Sequence, residues 1–206
     1  VIFVTGSDTG VGKTHVSGLL ARRLSRDGFT QVIKPVESGA GFGRPSDAPK
    51  AAGKWAEPHT LISLPRPIAP LAAAKQARKK VDLATLLKLY RALPPAPCRV
   101  VEGAGGVAVP LDPSGKDWAD FAAALRPTVA VVVVADRLGA INQSRLAIAY
   151  LRRRYDGPVG VWLNAPKKPS KEVAASNRAG LAAAGIPLLG ESGRGPKSVR
   201  FHFLPR

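Results

Sequence analysis

The stretch "VTGSDTGVGKTH", residues 4–15, runs from a strand-like opening through a glycine-rich loop into a lysine, a threonine and a helical pattern. A phosphate-binding loop requires that order of elements. Gly10 and Gly12 let the backbone take positive φ and come close to a ligand. Successive N–H groups then form an anion nest, and the helix that follows adds the partial positive charge of its N-terminus. Lys13 is placed to reach the β- and γ-phosphates of a nucleotide, and Thr14 to offer its hydroxyl to Mg²⁺. The strict spacing G-x-x-x-x-G-K-[ST] asks for glycine at position 7, where the chain has Ser7, with Gly6 one residue earlier.

On the C-terminal side of this loop, apolar runs of strand length alternate with amphipathic stretches. The pattern predicts strands over 1–6, 30–36, 98–103, 128–136, 158–165 and 187–192, the second halted by Pro35. It predicts helices over 13–27, 81–93, 117–125, 141–155 and 170–185. Val16, Leu19, Leu20 and Leu24 share a face of the first helix, and Gly28 is the expected cap. Residues 40–60, rich in glycine, proline and polar groups, read as a loop with a helix around 47–55. Continuous apolar strands alternating with helices imply an α/β fold, a mostly parallel sheet covered on both faces. Right-handed crossovers gather the strand ends on one edge, where ligands bind. No repeat or linker divides the chain, so residues 1–206 read as a single P-loop ATP-binding domain.

Composition narrows the function classes. No apolar run approaches the ~20 residues of a membrane span; "TVAVVVVA" at 128–135 is strand-sized. The chain opens on a strand rather than a basic-then-apolar leader, so no targeting segment is expected. Cys98 is the only cysteine, so no intrachain disulfide is possible and a reducing, cytoplasmic setting is expected. Lys and Arg number 31 against 14 Asp and Glu, a net charge of +17. Such an excess suits phosphate contacts with nucleic acid or anionic small substrates. The basic residues are scattered, apart from Arg78–Lys80 and Arg152–Arg154, and no aromatics interleave them as a stacking platform would require. A nucleic-acid partner is therefore not expected. The competing class is a partition-type ATPase associated with nucleic acid. Those enzymes carry a signature lysine in the loop where this chain has Asp8.

Strand ends carry the other candidate residues. Lys34 lies among Val32, Ile33 and Val36, where an ammonium is costly unless it meets an anion. A second cation on a transferred phosphoryl group fits it, and Ser38 and Gly39 follow with a hydroxyl and an open backbone. Glu102 ends "RVVEG", where phosphate-loop enzymes place a magnesium-binding acid. Asp47, in "RPSDAP", is by default a helix N-cap. Asn164 ends "VGVWLN" and offers a donor and an acceptor together, which matches the edge of adenine or caps a loop. His15, His59 and His202 match no metal spacing. Cys98 is expected to begin a strand.

Taken together, "VTGSDTGVGKT", "KPVESG", the Ser-Asp pair at 46–47, "VEGAGGVAVPL", "LGAIN" and "GVWLN" resemble the dethiobiotin synthetases, in order, from residue 1 to about residue 190. In that family five residues separate the outer loop glycines, which accounts for the spacing above, and Ser7 replaces the usual threonine. The ending "GESGRGPKSVRFHFLPR" departs from the family's Gly-Glu-Ile-Pro run. The resemblance implies an ATP-dependent cyclo-ligase that carboxylates 7,8-diaminopelargonic acid with CO₂ and closes a cyclic urea through a carbamate and its mixed anhydride with phosphate. It assigns Gly10, Val11, Gly12, Lys13, Thr14, His15 and Asn164 to ATP, and Thr14, Asp47 and Glu102 to Mg²⁺. Lys13, Lys34 and Thr9 take catalytic roles. Ser38, Gly105 and Gly106 lie at the substrate's amine end. It also implies a homodimer, in which Gly139, Ala140, Ile141 and Asn142 hold the carboxylate of substrate in the neighbouring subunit's site.

Overall fold

The computed structural model describes residues 1–40, 46–193 and 198–202. In chain order the elements are β1 (Ile2–Gly6), α1 (Lys13–Leu24), β2 (Thr30–Ser38), α2 (Asp47–Ala52), β3 (Glu57–Leu64), α3 (Pro70–Gln76), α4 (Leu83–Arg91), β4 (Cys98–Glu102), α5 (Trp118–Leu125), β5 (Val129–Ala135), α6 (Ala140–Leu151), β6 (Val159–Asn164), α7 (Lys171–Ala183), β7 (Leu188–Ser192) and β8 (Arg200–Phe201). They form one eight-stranded sheet in the order β3-β2-β4-β1-β5-β6-β7-β8. Every pairing is parallel except β7–β8. The predicted α/β class is therefore the observed one.

Alternation along the strands divides the core in two. Ile2, Val4 and Val131 face α1 and α2, where Val16, Leu20 and Ala51 meet them. Phe3, Ile33 and Val132 face the other helices, through Leu86, Phe121, Ile148 and Leu181. Phe3, Trp118 and Phe121 pack with ring centroids 5.4–6.2 Å apart. The Trp118 indole also donates to the Ala104 carbonyl at 2.7 Å, tying α5 to the loop after β4. Among the described residues no helix is long and apolar enough to cross a membrane.

Three expectations need correction, and two elements were not anticipated. Pro35 does not halt β2. Pairing with β4 ends at Ile33, while pairing with β3 continues from Lys34–Thr60 to Val36–Ile62. The proline thus falls where the strand has lost one neighbour, and a missing N–H is tolerated there. Residues 57–60, assigned to a loop, begin edge strand β3. Pro58 and a half-exposed face hide the apolar alternation, and only Ile62 and Leu64 are buried. The first helix ends at Leu24, capped by Ser25 rather than Gly28. The short α3 and the two-residue β8 have no prediction behind them.

The aromatic cluster supports the whole helix-rich face. Phe121→Ala is expected to lower the free energy of unfolding by about 3–5 kcal/mol, the cost of emptying a large buried ring site. Chemical denaturation of the two proteins measures it.

Candidate active site

Parallel strands deliver the C-terminal ends of β1, β2 and β4 to one edge, and the loops there enclose a cleft of about 670 Å³. The phosphate loop leaves β1 with Gly10 and Gly12 at φ of +76° and +101°. Lys13 folds back across it, its Nζ donating to the Asp8 carbonyl at 2.9 Å. Lys13 is 7% exposed, and its ammonium has no carboxylate in contact among the described residues. Its removal from water, reinforced by the charge of Lys34, outweighs Glu102, Asp8 and Asp47 and lowers its pKa to about 8.

Lys34 has the opposite electrostatic fate. It projects from the interior of β2 and is 4% exposed. Its Nζ lies 2.6 Å from Glu102 Oε1 and 3.1 Å from Asp47 Oδ2. Burial alone would depress this lysine, but the two carboxylates overcome it and hold the pKa above the ordinary value.

Glu102 is the hub. Thr14, on the first turn of α1, donates its hydroxyl to the same Oε1 at 2.9 Å. The carboxylate is 1% exposed, and its other oxygen, Oε2, has no hydrogen-bond partner among the described residues. Buried polar atoms rarely stay unpaired. An open carboxylate oxygen beside a threonine hydroxyl and a second carboxylate, Asp47, is the oxygen-rich set a hard divalent cation takes while keeping waters. No group of three or more His, Cys, Asp or Glu among the described residues offers a softer or fuller metal cage. Thr14, Asp47 and Glu102 are hard oxygen donors of the type that would suit Mg²⁺.

Asp47 is not the predicted N-cap. Ser46 holds that position, and Asp47, one residue on, points at Lys34. Glu37, which the sequence reading missed, arranges this. Its buried carboxylate accepts from the Asp47 N–H at 2.6 Å and from the Ser46 hydroxyl, and so pins the start of α2 to β2. An acid inside "KPVESG", one residue from Ser38, was the available signal.

Thr9, Ser38 and Gly105 also line the cleft. The Ser38 hydroxyl is buried without a partner among the described residues. Gly105 and Gly106 let the loop after β4 lie against the phosphate loop, where a Cβ on Gly106 would stand 3.3 Å from the Ser7 carbonyl. Val107 N–H donates to the Gly6 carbonyl at 3.0 Å and locks the two loops together.

The remaining candidates lie elsewhere. His15 is exposed on α1 and does not line the cleft. The Val11 side chain is in the core, so only its backbone could meet a nucleotide. Asn164 is buried, with Nδ2 donating to the Val11 carbonyl at 2.8 Å and Oδ1 accepting from Ser192 at 2.8 Å. Half of the amide's hydrogen-bonding capacity is committed within the protein. Gly139, Ala140, Ile141 and Asn142 form the start of α6, outside this cleft. Ala140 is buried, and Ile141 packs where a side chain at Gly180 would stand. Asn142 is exposed.

Comparison with known proteins gives these positions a context. A family model described as an AAA domain matches residues 1–194. The ATP-dependent dethiobiotin synthetase BioD of Anaeromyxobacter sp. (strain K) is 42% identical over 170 residues, 79% of this chain and 75% of that protein. The protein of the same name from Mycobacterium marinum is 37% identical over 189 residues, covering 88% and 82%. Among solved structures, a putative plasmid partition protein of Borrelia burgdorferi bound to AMPPNP aligns at a TM-score of 0.57 with 12% identity, over 95% of this chain and 87% of that one. The MinC:MinD complex of Aquifex aeolicus aligns at 0.56 with 13% identity, over 95% and 82%. Likeness at so low an identity is a likeness of fold alone. Identity of 37–42% over most of both partners is closer kinship, and by it this chain belongs to the family of ATP-dependent dethiobiotin synthetases.

Proposed function

We propose that this chain carboxylates 7,8-diaminopelargonic acid with CO₂ and closes the cyclic urea of dethiobiotin, using ATP and Mg²⁺. The observation that carries this reading is the buried Lys34, paired with Glu102 and Asp47 and facing the same cleft as the phosphate loop. One amine of the substrate adds to CO₂ and loses a proton, leaving a carbamate. A carbamate oxygen attacks the γ-phosphorus and ADP departs. The second amine then attacks the carbonyl carbon of the mixed anhydride, and phosphate leaves, taking up the amine's proton, as the ring closes.

Carbamate and triphosphate are both anions and repel each other. Lys13 and Lys34 offset that repulsion from two sides and hold the reacting atoms in register. Thr9 and the unpartnered Ser38 hydroxyl donate to carbamate or phosphate oxygens. Thr14, Asp47 and Glu102 would hold Mg²⁺, which supplies further neutralisation of the β- and γ-phosphates. The backbone of Gly105 and Gly106 borders the amine end, and the enclosing loops keep water from a labile carbamate. Asn164 retains one amide hydrogen and one carbonyl lone pair for adenine.

A homodimer completes the site in this reading. Leu138 is 81% exposed and Leu146 63% exposed on the α6 side, an unusual pair of bare leucines that a second copy would cover. The α6 N-terminus beginning at Gly139–Asn142 then meets the substrate carboxylate in the neighbouring site, where its partial positive charge suits an anion.

ADP release is expected to require the diamine and bicarbonate together; turnover indifferent to either rejects the reading. DNA binding with a steep salt dependence and no diamine-dependent turnover would favour the partition-type alternative. Lys34→Ala should abolish turnover and leave ATP binding largely intact, measured by calorimetry beside the assay. The lowered pKa of Lys13, about 8, sets a pH dependence. The free enzyme binds triphosphate through the charged form, so kcat/KM for ATP should fall as pH rises through that value, toward about tenfold per unit. Stability of the ATP-free chain runs the other way. With the folded pKa below the unfolded one, unfolding takes up a proton between about 8 and 10.5, and this group's contribution to stability rises across that window. A pH series of rates, and thermal unfolding of wild type against Lys13→Gln, checks both signs.

A further inference from the structure

We infer that Trp162 and Ser192 are positioning residues for the phosphate loop, acting through Asn164. The inference rests on the proposed binding of the ATP triphosphate at that loop. Trp162 and Asn164 are two residues apart on β6 and so point to one face. Ser192, on β7, pairs in register with Asn164. The Trp162 indole N–H donates to Ser192 Oγ at 2.9 Å, Ser192 donates to Asn164 Oδ1 at 2.8 Å, and Asn164 Nδ2 donates to the Val11 carbonyl at 2.8 Å.

The direction of this chain is forced at both ends. An indole N–H can only donate and a carbonyl can only accept. Ser192 must therefore receive from the tryptophan and pass its own hydrogen to the amide, and the amide cannot flip. All three side chains are buried, so water offers no substitute and each bond strengthens the next. The tryptophan itself is fixed. Its ring occupies the space beside Gly190, where a Cβ would lie 2.4 Å from it, and the Phe201 ring packs against it edge to face at 5.2 Å.

At the other end the amide meets the loop with no clearance. A Cβ on Gly12 would stand 2.0 Å from Asn164 Nδ2, and Gly12 holds a φ of +101° that favours glycine. The Val11 carbonyl and the Gly12 backbone immediately precede Lys13. Anchoring them from β6 and β7, strands beyond β5 in the sheet order, fixes where the next N–H groups and the lysine aim before any ligand arrives. Ser192 and Trp162 touch neither phosphate nor base; they set the shape of what does.

The test separates loop from base. Wild type, Ser192→Ala and Trp162→Phe are titrated by calorimetry with Mg·ATP and with Mg·tripolyphosphate, which has no base. Both variants should lose affinity for tripolyphosphate by about five- to tenfold, as for one buried hydrogen bond, and for ATP by at least as much, and Ser192→Thr should restore it. Thermal midpoints are recorded alongside. Ser192→Ala binding both ligands as wild type does would overturn the inference. So would a loss confined to ATP, which would assign the relay to the base. Should Ser192→Ala not fold, Trp162→Phe, which removes the donor together with the five-membered ring of the buried indole, decides by the same measurement read beside its thermal midpoint. If wild type binds neither ligand, the triphosphate reading of the loop fails instead.

Discussion

A lysine inside a parallel strand is tolerable only if its charge is met, and the contact of Lys34 with Glu102 at 2.6 Å meets it. Removing both ions from water costs several kcal/mol each, so the attraction must be close and supplemented. The supplement is visible: Asp47 adds a second carboxylate to the lysine, and Thr14 donates to the glutamate. The start of α1, the end of β4, the middle of β2 and the start of α2 are all held to one point by these contacts. The cleft is what remains between them.

The two lysines of the cleft show how environment divides one residue type into two roles. Lys34, with its carboxylates in contact, is a fixed positive charge. Lys13, buried and with only a backbone carbonyl among the described residues to receive its ammonium, is pulled down to about 8 by its removal from water. The site is thus preorganised on one side and incomplete on the other. Lys13 suits an anion, whereas Glu102 Oε2, an acceptor, and the Ser38 hydroxyl are buried polar atoms with no hydrogen-bond partner among the described residues.

Much of this was legible from local patterns. The strand, the glycines and the Lys-Thr pair of residues 4–15 specify a phosphate loop whatever surrounds them, because the nest is made by consecutive backbone groups. Lys34 stood out as a charge in an apolar strand, and Glu102 as an acid at a strand end. Less legible were elements whose signals tertiary context overrides. Edge strand β3 carries Pro58 and exposes one face, so its alternation reads as loop. Pro35 reads as a stop, yet it sits where β2 has a single neighbour. Asp47 reads as a cap, and Glu37, whose place in "KPVESG" does not reveal its partner ten residues on, is what directs it elsewhere.

The sequence by itself determined the α/β class, the phosphate loop and the residue types that serve it, since each depends on periodicity or on neighbours a few positions apart. Only the tertiary structure decided which residues meet. Lys34 and Glu102 are 68 positions apart, Asn164 and Val11 are 153 apart, and nothing local links either pair. The sheet order β2-β4-β1 brings the first pair together, and β6 beside β7 fixes the Asn164 amide that reaches back to the loop. Strand order is settled by how helices cover both faces of the whole sheet, a balance that no single segment contains.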